Sequence, residues 1–375
     1  MNKNACVITV LDSITETSMP FNEFVLYRAV NYKNELHIVL VCELDTVMPE
    51  MQIPENVRIY NLPKNTFVIR KTVIKLIKKL QNNNIPYIIH LHQPQSAFWF
   101  NISMFGTHIR KKVLFTVHST FTGYAVHNKI LSAFNSLCSY KVTCVSKSSY
   151  NGYSKILKKI KGEYILPIQN GTDLERIDNV LKLNTQINSD EHKYKRFIYV
   201  ARMVEIKNHD FLLDVISKIN GDAKFIFIGA EDAKGEIRKK AEELGLKEKV
   251  EFVGLIPRND VYKYLESADV YISPSKLEGL PISVLEAMYI GLPVVLSDIE
   301  PHKEIAEYTE AVRILPLEDI NAWVAAIDEY IKKQHTDLID IGKKSKMCVE
   351  KEFSLKTMHQ QYSVLYEEIL QIKER

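Results

Sequence analysis

Two carboxylates and two cations carry the strongest chemical signal in this chain. Glu278 and Glu286 stand in the run Glu278-Gly279-Leu280-Pro281-Ile282-Ser283-Val284-Leu285-Glu286-Ala287, and Glu286 is the only charged residue from Gly279 to Leu296. Pro281 suits the first turn of a helix and Gly291 suits its end. A carboxylate inside so apolar a helix needs a partner, because burying even an unpaired neutral polar group costs about 2–7 kcal/mol. One reading makes Glu286 a surface residue or half of a structural ion pair. The other makes it an acceptor for ligand hydroxyls such as those of a ribose, as acidic residues are in dinucleotide folds. Glu278 lies just ahead of the helix, where the N–H groups of Gly279, Leu280 and Ile282 could face a ligand and glycine permits close approach.

The cations are Arg202 and Lys207, in Arg202-Met203-Val204-Glu205-Ile206-Lys207-Asn208 directly after an apolar run. At the carboxyl end of a strand, with Asn208 placed to cap the next helix, they form an anion site. A planar fork beside a point charge suits a diphosphate. Alone, the pair would read equally well as solvated surface. Three histidines also fall at strand ends. His118 follows Val113–Val117 and is, without context, as easily structural as functional. His90 and His92 form a His-x-His, a spacing that can bind a metal, but no third ligand is evident. Lining of an acceptor pocket, or packing, is the simpler expectation for both.

These residues need strands to hold them. Ala5–Val10, Leu36–Val41, Val57–Tyr60, Tyr87–Leu91, Val113–Val117 and Val142–Val145 are short and rich in Val and Ile, with helical text such as Thr72–Leu80 and Asn128–Tyr140 between them. Buried runs alternating with helices predict a parallel sheet covered on both faces. The pattern restarts with strands at Phe197–Ala201, Lys224–Ile228, Val250–Val253, Val270–Ile272 and Val294–Leu296. Helices fit Asp210–Ile219, Lys234–Leu244, Asp260–Glu266, Ile282–Ile290 and Asn321–Lys332. The expectation is α/β, two doubly wound domains with a cleft at the carboxyl ends of their sheets. The polar stretch Asn184–Lys195 reads as the linker or its flank.

Length and composition agree. The 375 residues, 46% hydrophobic and 25% charged, suit two ordinary globular domains and exclude global disorder. Five scattered cysteines without a CxxC read as free thiols in a reducing compartment. The start reads as a first strand rather than a signal peptide, and no run approaches the ~18–20 apolar residues of a membrane span. A cytoplasmic location follows by elimination. The net charge of +3 hides a segregation: residues 1–180 carry 21 Lys and Arg against 12 Asp and Glu, and residues 61–170 carry 16 against Glu163 alone. Lys71, Lys75, Lys78 and Lys79 share one helical face, and Lys155, Lys158, Lys159 and Lys161 repeat the theme. Surfaces usually mix signs, so an anionic membrane surface is the expected partner. Nucleic acid is not, because no recognisable module or aromatic–basic interleaving accompanies the charge.

Taken together, Arg202…Lys207 followed by Glu278-x7-Glu286 resembles the family 4 retaining glycosyltransferases of GT-B fold, also described as glycosyl transferases group 1. The resemblance covers nearly the whole chain. It includes Ser273-Pro274-Ser275, Asn170-Gly171-Thr172-Asp173 at the interdomain crossing, and Val253-Gly254 after a strand. It implies two Rossmann-like domains facing a cleft. Residues 1–172, with a returning C-terminal helix at about 355–375, would bind the acceptor, and residues 173–354 the nucleotide-sugar donor. By the resemblance Arg202 and Lys207 hold the donor's diphosphate and Glu286 its ribose. Glu278, with the amides of Gly279 and Leu280 and the adjoining Pro281 and Ile282, holds the sugar. Leu255 and Ile256, after Gly254, flank the base, and His118 lies near the reacting carbon. No cofactor and no metal are implied. The family's glycine-rich first loop is replaced by Leu11–Pro20, which has no glycine. Ser13, Thr15, Thr17 and Ser18 could offer hydroxyls there, and His92 is a further acceptor-side candidate.

The expected activity is therefore transfer of a sugar, with retention, from a nucleotide-diphosphate sugar, UDP being the commonest base. The acceptor would be the hydroxyl of a lipid-linked or polysaccharide-precursor glycan at the cytoplasmic membrane face. The alternatives are a nucleotide-sugar epimerase of the same fold and a non-catalytic partner subunit.

Overall fold

The computed structural model describes residues 5–14, 20–42, 52–183, 194–231 and 234–372. The Asn184–Lys195 stretch therefore lies mostly outside the described residues, as do Thr15, Thr17 and Ser18. The chain divides into two units, 1–170 with 355–375, and 171–354.

The first unit is a seven-stranded sheet with every pairing parallel. Its strands are β1 (Cys6–Leu11), β2 (Leu36–Val41), β3 (Val57–Asn61), β4 (Tyr87–Leu91), β5 (Val113–Val117), β6 (Lys141–Cys144) and β7 (Ile165–Pro167), in the order β3-β2-β1-β4-β5-β6-β7. β1, β4 and β5 are buried along their whole length. That is why they read as unbroken Val/Ile runs rather than alternating ones. The helix Thr66–Asn82 begins where the Asn65 side chain accepts the N–H groups of Phe67 and Val68, and it turns Ile69, Val73, Ile77 and Leu80 inward. Those four recur at the three-to-four-residue spacing of one helical face. Its lysines at 71, 75, 78 and 79 point outward.

The helix Leu355–Gln371 belongs to this unit, although the intervening 184 residues do not. Met358, Tyr362, Leu365, Tyr366 and Ile369 pack on Val7, Ile88 and Leu114 of the sheet. Each such large side chain contributes about 1.5–3 kcal/mol on burial, so the returning helix is part of this core.

In the second unit, six parallel strands follow the order β10-β9-β8-β11-β12-β13. They are β8 (Lys195–Val200), β9 (Ala223–Ile228), β10 (Val250–Gly254), β11 (Val270–Ser273), β12 (Val294–Ser297) and β13 (Val312–Leu315). The order reverses between β8 and β11, as it does between β1 and β4 in the first unit. In open α/β sheets such a reversal opens a crevice at the carboxyl ends of the two strands. The chain enters this unit at Gly171 and leaves it at Ser354, where Thr172 N–H donates to the carbonyl of Phe353 at 2.8 Å and Thr172 bridges to Ser354.

Two strands and several helices were not expected. β7 has three residues and ends on Pro167, and β13 is a half-exposed edge strand containing Arg313, so neither shows a buried run. The expected Asn128–Tyr140 helix is present as Val126–Cys138, but inside out. Ser132, Asn135 and Ser136 are buried, while Val126, Ile130 and Leu137 are exposed. Two of these buried polar side chains are satisfied, while Ser132 Oγ has no partner among the described residues. Asn135 Nδ2 donates to the carbonyl of Pro94 at 2.9 Å and Ser136 Oγ to that of Ser132 at 2.6 Å.

Candidate functional site

The crevice of the second unit is built from the loops that follow β8 and β11. Gly229, at the end of β9, makes the first loop possible. Its φ is +148°, and a Cβ there would meet the carbonyl oxygen of Ala201 at 2.1 Å, so only glycine lets the turn into Arg202 pass so close. Beyond it a single 3-10 turn, Glu205–Lys207, leads to the helix His209–Ile216. Asn208 joins the two with φ 59°, ψ 36°. The expected side-chain cap is absent. Asn208 serves instead as the left-handed hinge, a conformation that asparagine tolerates better than most residues.

That turn brings Lys207 back over the loop after β11. Lys207 Nζ lies 2.5 Å from Glu278 Oε1, with both side chains mostly covered. Backbone contacts fix the two loops together: Lys276 N–H donates to the Ile206 carbonyl at 2.8 Å, and Tyr199 Oη donates to the Lys207 carbonyl at 2.8 Å. Beneath them Tyr199, Ser275, Ser273, Ser297 and His302 form a buried hydrogen-bonded chain. The Tyr199 hydroxyl is pushed well above its usual range, first by burial and then by the negative charge of Glu278. His302 is held at about 4 by burial, although Glu278 draws it upward. Its Nε2 is buried and has no partner among the described residues. The Arg202 side chain is exposed and makes no hydrogen bond or ion pair among the described residues.

Glu286 has the partner its position demanded. It is 5% exposed on the helix Ile282–Ile290, and its Oε1 accepts from Arg258 Nη2 at 2.7 Å, Arg258 Nε at 3.1 Å and Tyr262 Oη at 2.8 Å. Arg258 and Tyr262 lie one turn apart on the helix Arg258–Glu266, and Arg176 Nε donates to Tyr262 Oη at 3.2 Å. Burial and the Glu286 carboxylate push the Tyr262 hydroxyl upward. The helix of Glu286 follows Pro281, and it ends at Gly291 with φ 101°. Its first-turn Ser283 Oγ pairs with Tyr271 Oη at 2.8 Å. The N–H of Ile282, the first helical residue, has no acceptor within the helix. Leu280 is buried and Ile282 half-buried against the core. Gly254, at φ +80°, ends β10, and after it Leu255 is 72% exposed while Ile256 packs partly on the core.

Sequence reasoning missed Gly229, Arg258, Tyr262, Tyr199 and His302. Arg258 and Tyr262 had a signal, since a cation and a hydroxyl four residues apart on one helix face could satisfy a buried acid. Tyr199 had none, because apolar neighbours conceal it, and His302 stands in the charged text Glu300-Pro301-His302-Lys303-Glu304, which reads as surface.

In the first unit the corresponding crevice holds Asp12, His92 and His118. Asp12 N–H donates to Gln93 Oε1 at 2.5 Å, and Asp12 Oδ1 accepts from Ser96 N–H at 2.7 Å. The glycine-free loop thus ties itself to the start of the helix Pro94–Ser103, and Ser13 follows as a half-buried residue. His118 Nε2 lies 3.0 Å from His92 Nδ1. Burial holds His118 at about 4 and keeps His92 well below 6.5, so both rings are neutral at pH 7 and share one proton between these nitrogens. His90 is a packing residue, bonded to Tyr366 Oη at 2.7 Å and Thr116 Oγ1 at 2.6 Å. Among the described residues no cluster of three metal-binding side chains occurs.

Residues 182–351 match the family glycosyl transferases group 1. The match lies wholly within the second unit, 171–354. The chain is 25% identical over 334 residues to the capsular polysaccharide biosynthesis glycosyltransferase CapH of Staphylococcus aureus, spanning 84% of this chain and 87% of CapH. It is 24% identical over 322 residues to the UDP-Gal:alpha-D-GlcNAc-diphosphoundecaprenol alpha-1,3-galactosyltransferase of Escherichia coli, 78% and 79% of the two chains. Among solved structures, Anabaena HepE in complex with UDP-glucose superposes with a TM-score of 0.75 at 16% identity, covering 96% of this chain and 99% of HepE. At that identity the likeness shows the fold, and the fold is the GT-B glycosyltransferase architecture. In this segment Arg202, Lys207, Glu278 and Glu286 lie on the loops and helix around the β8/β11 reversal.

Proposed function

We propose that this chain is a retaining glycosyltransferase that moves a sugar from a nucleotide-diphosphate sugar, UDP being the base of choice, to the hydroxyl of a lipid-linked or polysaccharide-precursor glycan. One observation carries the reading. Lys207 and Glu278 meet at the strand reversal of a segment that matches the glycosyl transferases, with Arg202 at the start of the same loop after β8. A diphosphate entering there would meet a guanidinium with no internal partner and an ammonium held by one carboxylate. Those cations neutralise the charge that develops on the leaving diphosphate, the main electrostatic task of such a step. Glu278, relieved of Lys207, accepts hydrogen bonds from the donor sugar, with the amides of Gly279 and Leu280 and the adjoining Pro281 and Ile282 lining the approach. Glu286 accepts from the ribose, and Leu255 and Ile256 flank the base after Gly254.

His118 is assigned to the reacting end of the sugar, and Ser13, Thr15, Thr17 and His92 to the acceptor side, on the family resemblance. The reading requires no cofactor and no metal, since Arg202 and Lys207 supply the positive charge. CapH and the E. coli galactosyltransferase, named for capsular polysaccharide synthesis and for a diphosphoundecaprenol acceptor, support a polysaccharide-precursor substrate. A lipid-linked acceptor would draw the enzyme to the cytoplasmic face of the membrane. The test is to incubate the protein with UDP-glucose or UDP-galactose and a diphosphate-linked GlcNAc lipid, then read the product by NMR. An α-linked disaccharide lipid from an α-linked donor supports the proposal. A β-linked product would remove the retaining step.

A further inference from the structure

The helix Val126–Cys138 presents the wrong face to water. Its buried side carries Ser132, Asn135 and Ser136, whereas Val126, Ile130 and Leu137 are 73%, 64% and 39% exposed. They recur at i, i+4 and i+11, so they form one stripe. The helix Lys155–Lys161 packs beside it and adds Ile156 and Ile160, 72% and 62% exposed. Lysines alternate with these aliphatics, Lys155 and Lys159 being exposed and Lys129 half-exposed. A surface that joins large aliphatics to basic side chains has the composition of an interfacial face.

The stripe ends in a cavity of about 580 Å3 at the amino ends of β5, β6 and β7, on the edge opposite the β1/β4 crevice residues Asp12, His92 and His118. Leu137 and Ile160 line it together with Arg110, Lys111, Lys161 and Tyr164. Part of this basic cluster is explained by capping. Arg110 donates to the carbonyl of Leu137, and Lys161 Nζ donates to those of Ser139 at 2.6 Å and Tyr140 at 3.1 Å, satisfying the end of the 126–138 helix. An ammonium has a third N–H. Burial and the nearby Arg110 hold Lys161 down at about 8, so an arriving anion would relieve the crowding of positive charge.

We infer that this face of the first unit docks on an anionic lipid bilayer, with Val126, Ile130, Ile156 and Ile160 entering the acyl boundary and the cavity cations taking lipid phosphate. This deepens the membrane part of the reading above and names its surface. Charge decides the occupant. A second copy seated on the same face would set lysine against lysine, because residues 61–170 hold 16 basic residues and one acid. The lysine-rich helix Thr66–Asn82 is not the docking element. Its aliphatics at 69, 73, 77 and 80 are turned inward, and only Phe67 joins its exposed lysines.

The test is co-sedimentation of the full chain with vesicles of phosphatidylcholine alone and of phosphatidylcholine with phosphatidylglycerol. It compares wild type, Ile130→Asp, Ile156→Asp and Lys71→Glu/Lys75→Glu, with folding checked by circular dichroism and the donor site by UDP titration. The inference expects binding to the anionic vesicles, weakened about tenfold by each aspartate and little by the Lys71/Lys75 pair. Binding that inorganic phosphate at millimolar level abolishes on both vesicle types would show a free-anion site instead and overturn it. So would a wild type that ignores anionic vesicles, aspartate variants that sediment like wild type, or a lipid-free dimer that those variants dissociate. Vesicle binding without UDP binding would strike the donor-site reading and leave this one standing.

Discussion

Lys207 and Glu278 lie 2.5 Å apart at the β8/β11 reversal, so the cation proposed for the diphosphate is already held by the carboxylate proposed for the sugar. The pair is mostly covered, and each charge would be stranded if the other left without replacement. A diphosphate therefore competes with Glu278 for Lys207 and suffers its repulsion. Glu278→Gln removes both effects. UDP should bind this variant about 3–10-fold more tightly than wild type, while sugar transfer falls because the carboxylate acceptor is gone. Calorimetric titration and a transfer assay read the two separately. Weaker UDP binding to Glu278→Gln would mean that the carboxylate helps hold the nucleotide rather than opposing it.

Glu286 can be tested for structure apart from ligand. Arg258 donates twice to its Oε1, and Tyr262 donates once. Arg258→Ala leaves a buried carboxylate with its hydroxyl donor alone and should destabilise the second unit by about 3–5 kcal/mol. Glu286→Gln keeps an acceptor oxygen and should cost less. Urea unfolding of both variants checks the order.

Acid should weaken the first unit before the second. His37 and His359 are held at about 3 and His118 at about 4, while His90 and His92 lie well below 6.5, all mainly by burial. Among the described residues of the second unit only His209 and His302 are held down, each at about 4. The unfolded chain takes up these protons near pH 6.5 and the folded one does not. Stability is therefore complete above pH 6.5 and is lost as pH falls from 6.5 towards 4, by about 1.4 kcal/mol per pH unit for each histidine. Equilibrium unfolding at about pH 7, 6 and 5 (about one unit apart, so that the slope is readable), followed by hydrogen exchange, should show the first unit losing more. Equal losses in both units would contradict the assignment.

The returning helix makes the first unit depend on the end of the chain. Tyr362 is fully buried, with its hydroxyl 3.3 Å from Thr116 Oγ1 and 3.2 Å from Thr143 Oγ1. Tyr362→Ala should cost about 3–5 kcal/mol, lowering the unfolding midpoint of the first unit and leaving UDP binding by the second within about twofold. Fluorescence-detected unfolding with and without UDP measures both.

Much of the fold was legible because parallel strands covered on both faces read as continuous apolar runs, and β1, β4, β5, β8 and β11 stand out for that reason. β13 did not, because an edge strand carries residues such as Arg313 that face water. Within the site, the isolation of Glu286 in apolar text announced a partner but not which one. That partner lies 28 residues earlier on another helix, and only the packing of the two helices brings Arg258 to it. Asn208 was legible as a helix boundary yet not as a left-handed hinge, since its identity suits either use. The 126–138 helix shows the sharpest limit. Its periodicity was correct, but periodicity names two faces without saying which one the sheet covers.

The most direct test of the donor-site claim is calorimetric titration of UDP, GDP and ADP into wild type and into Glu286→Ala, with folding of the variant confirmed. The account predicts that one nucleotide, UDP first, binds wild type in the micromolar range, about −8 kcal/mol, and that Glu286→Ala loses at least about tenfold. Binding of none of the three, or unchanged binding in a folded Glu286→Ala, would contradict it.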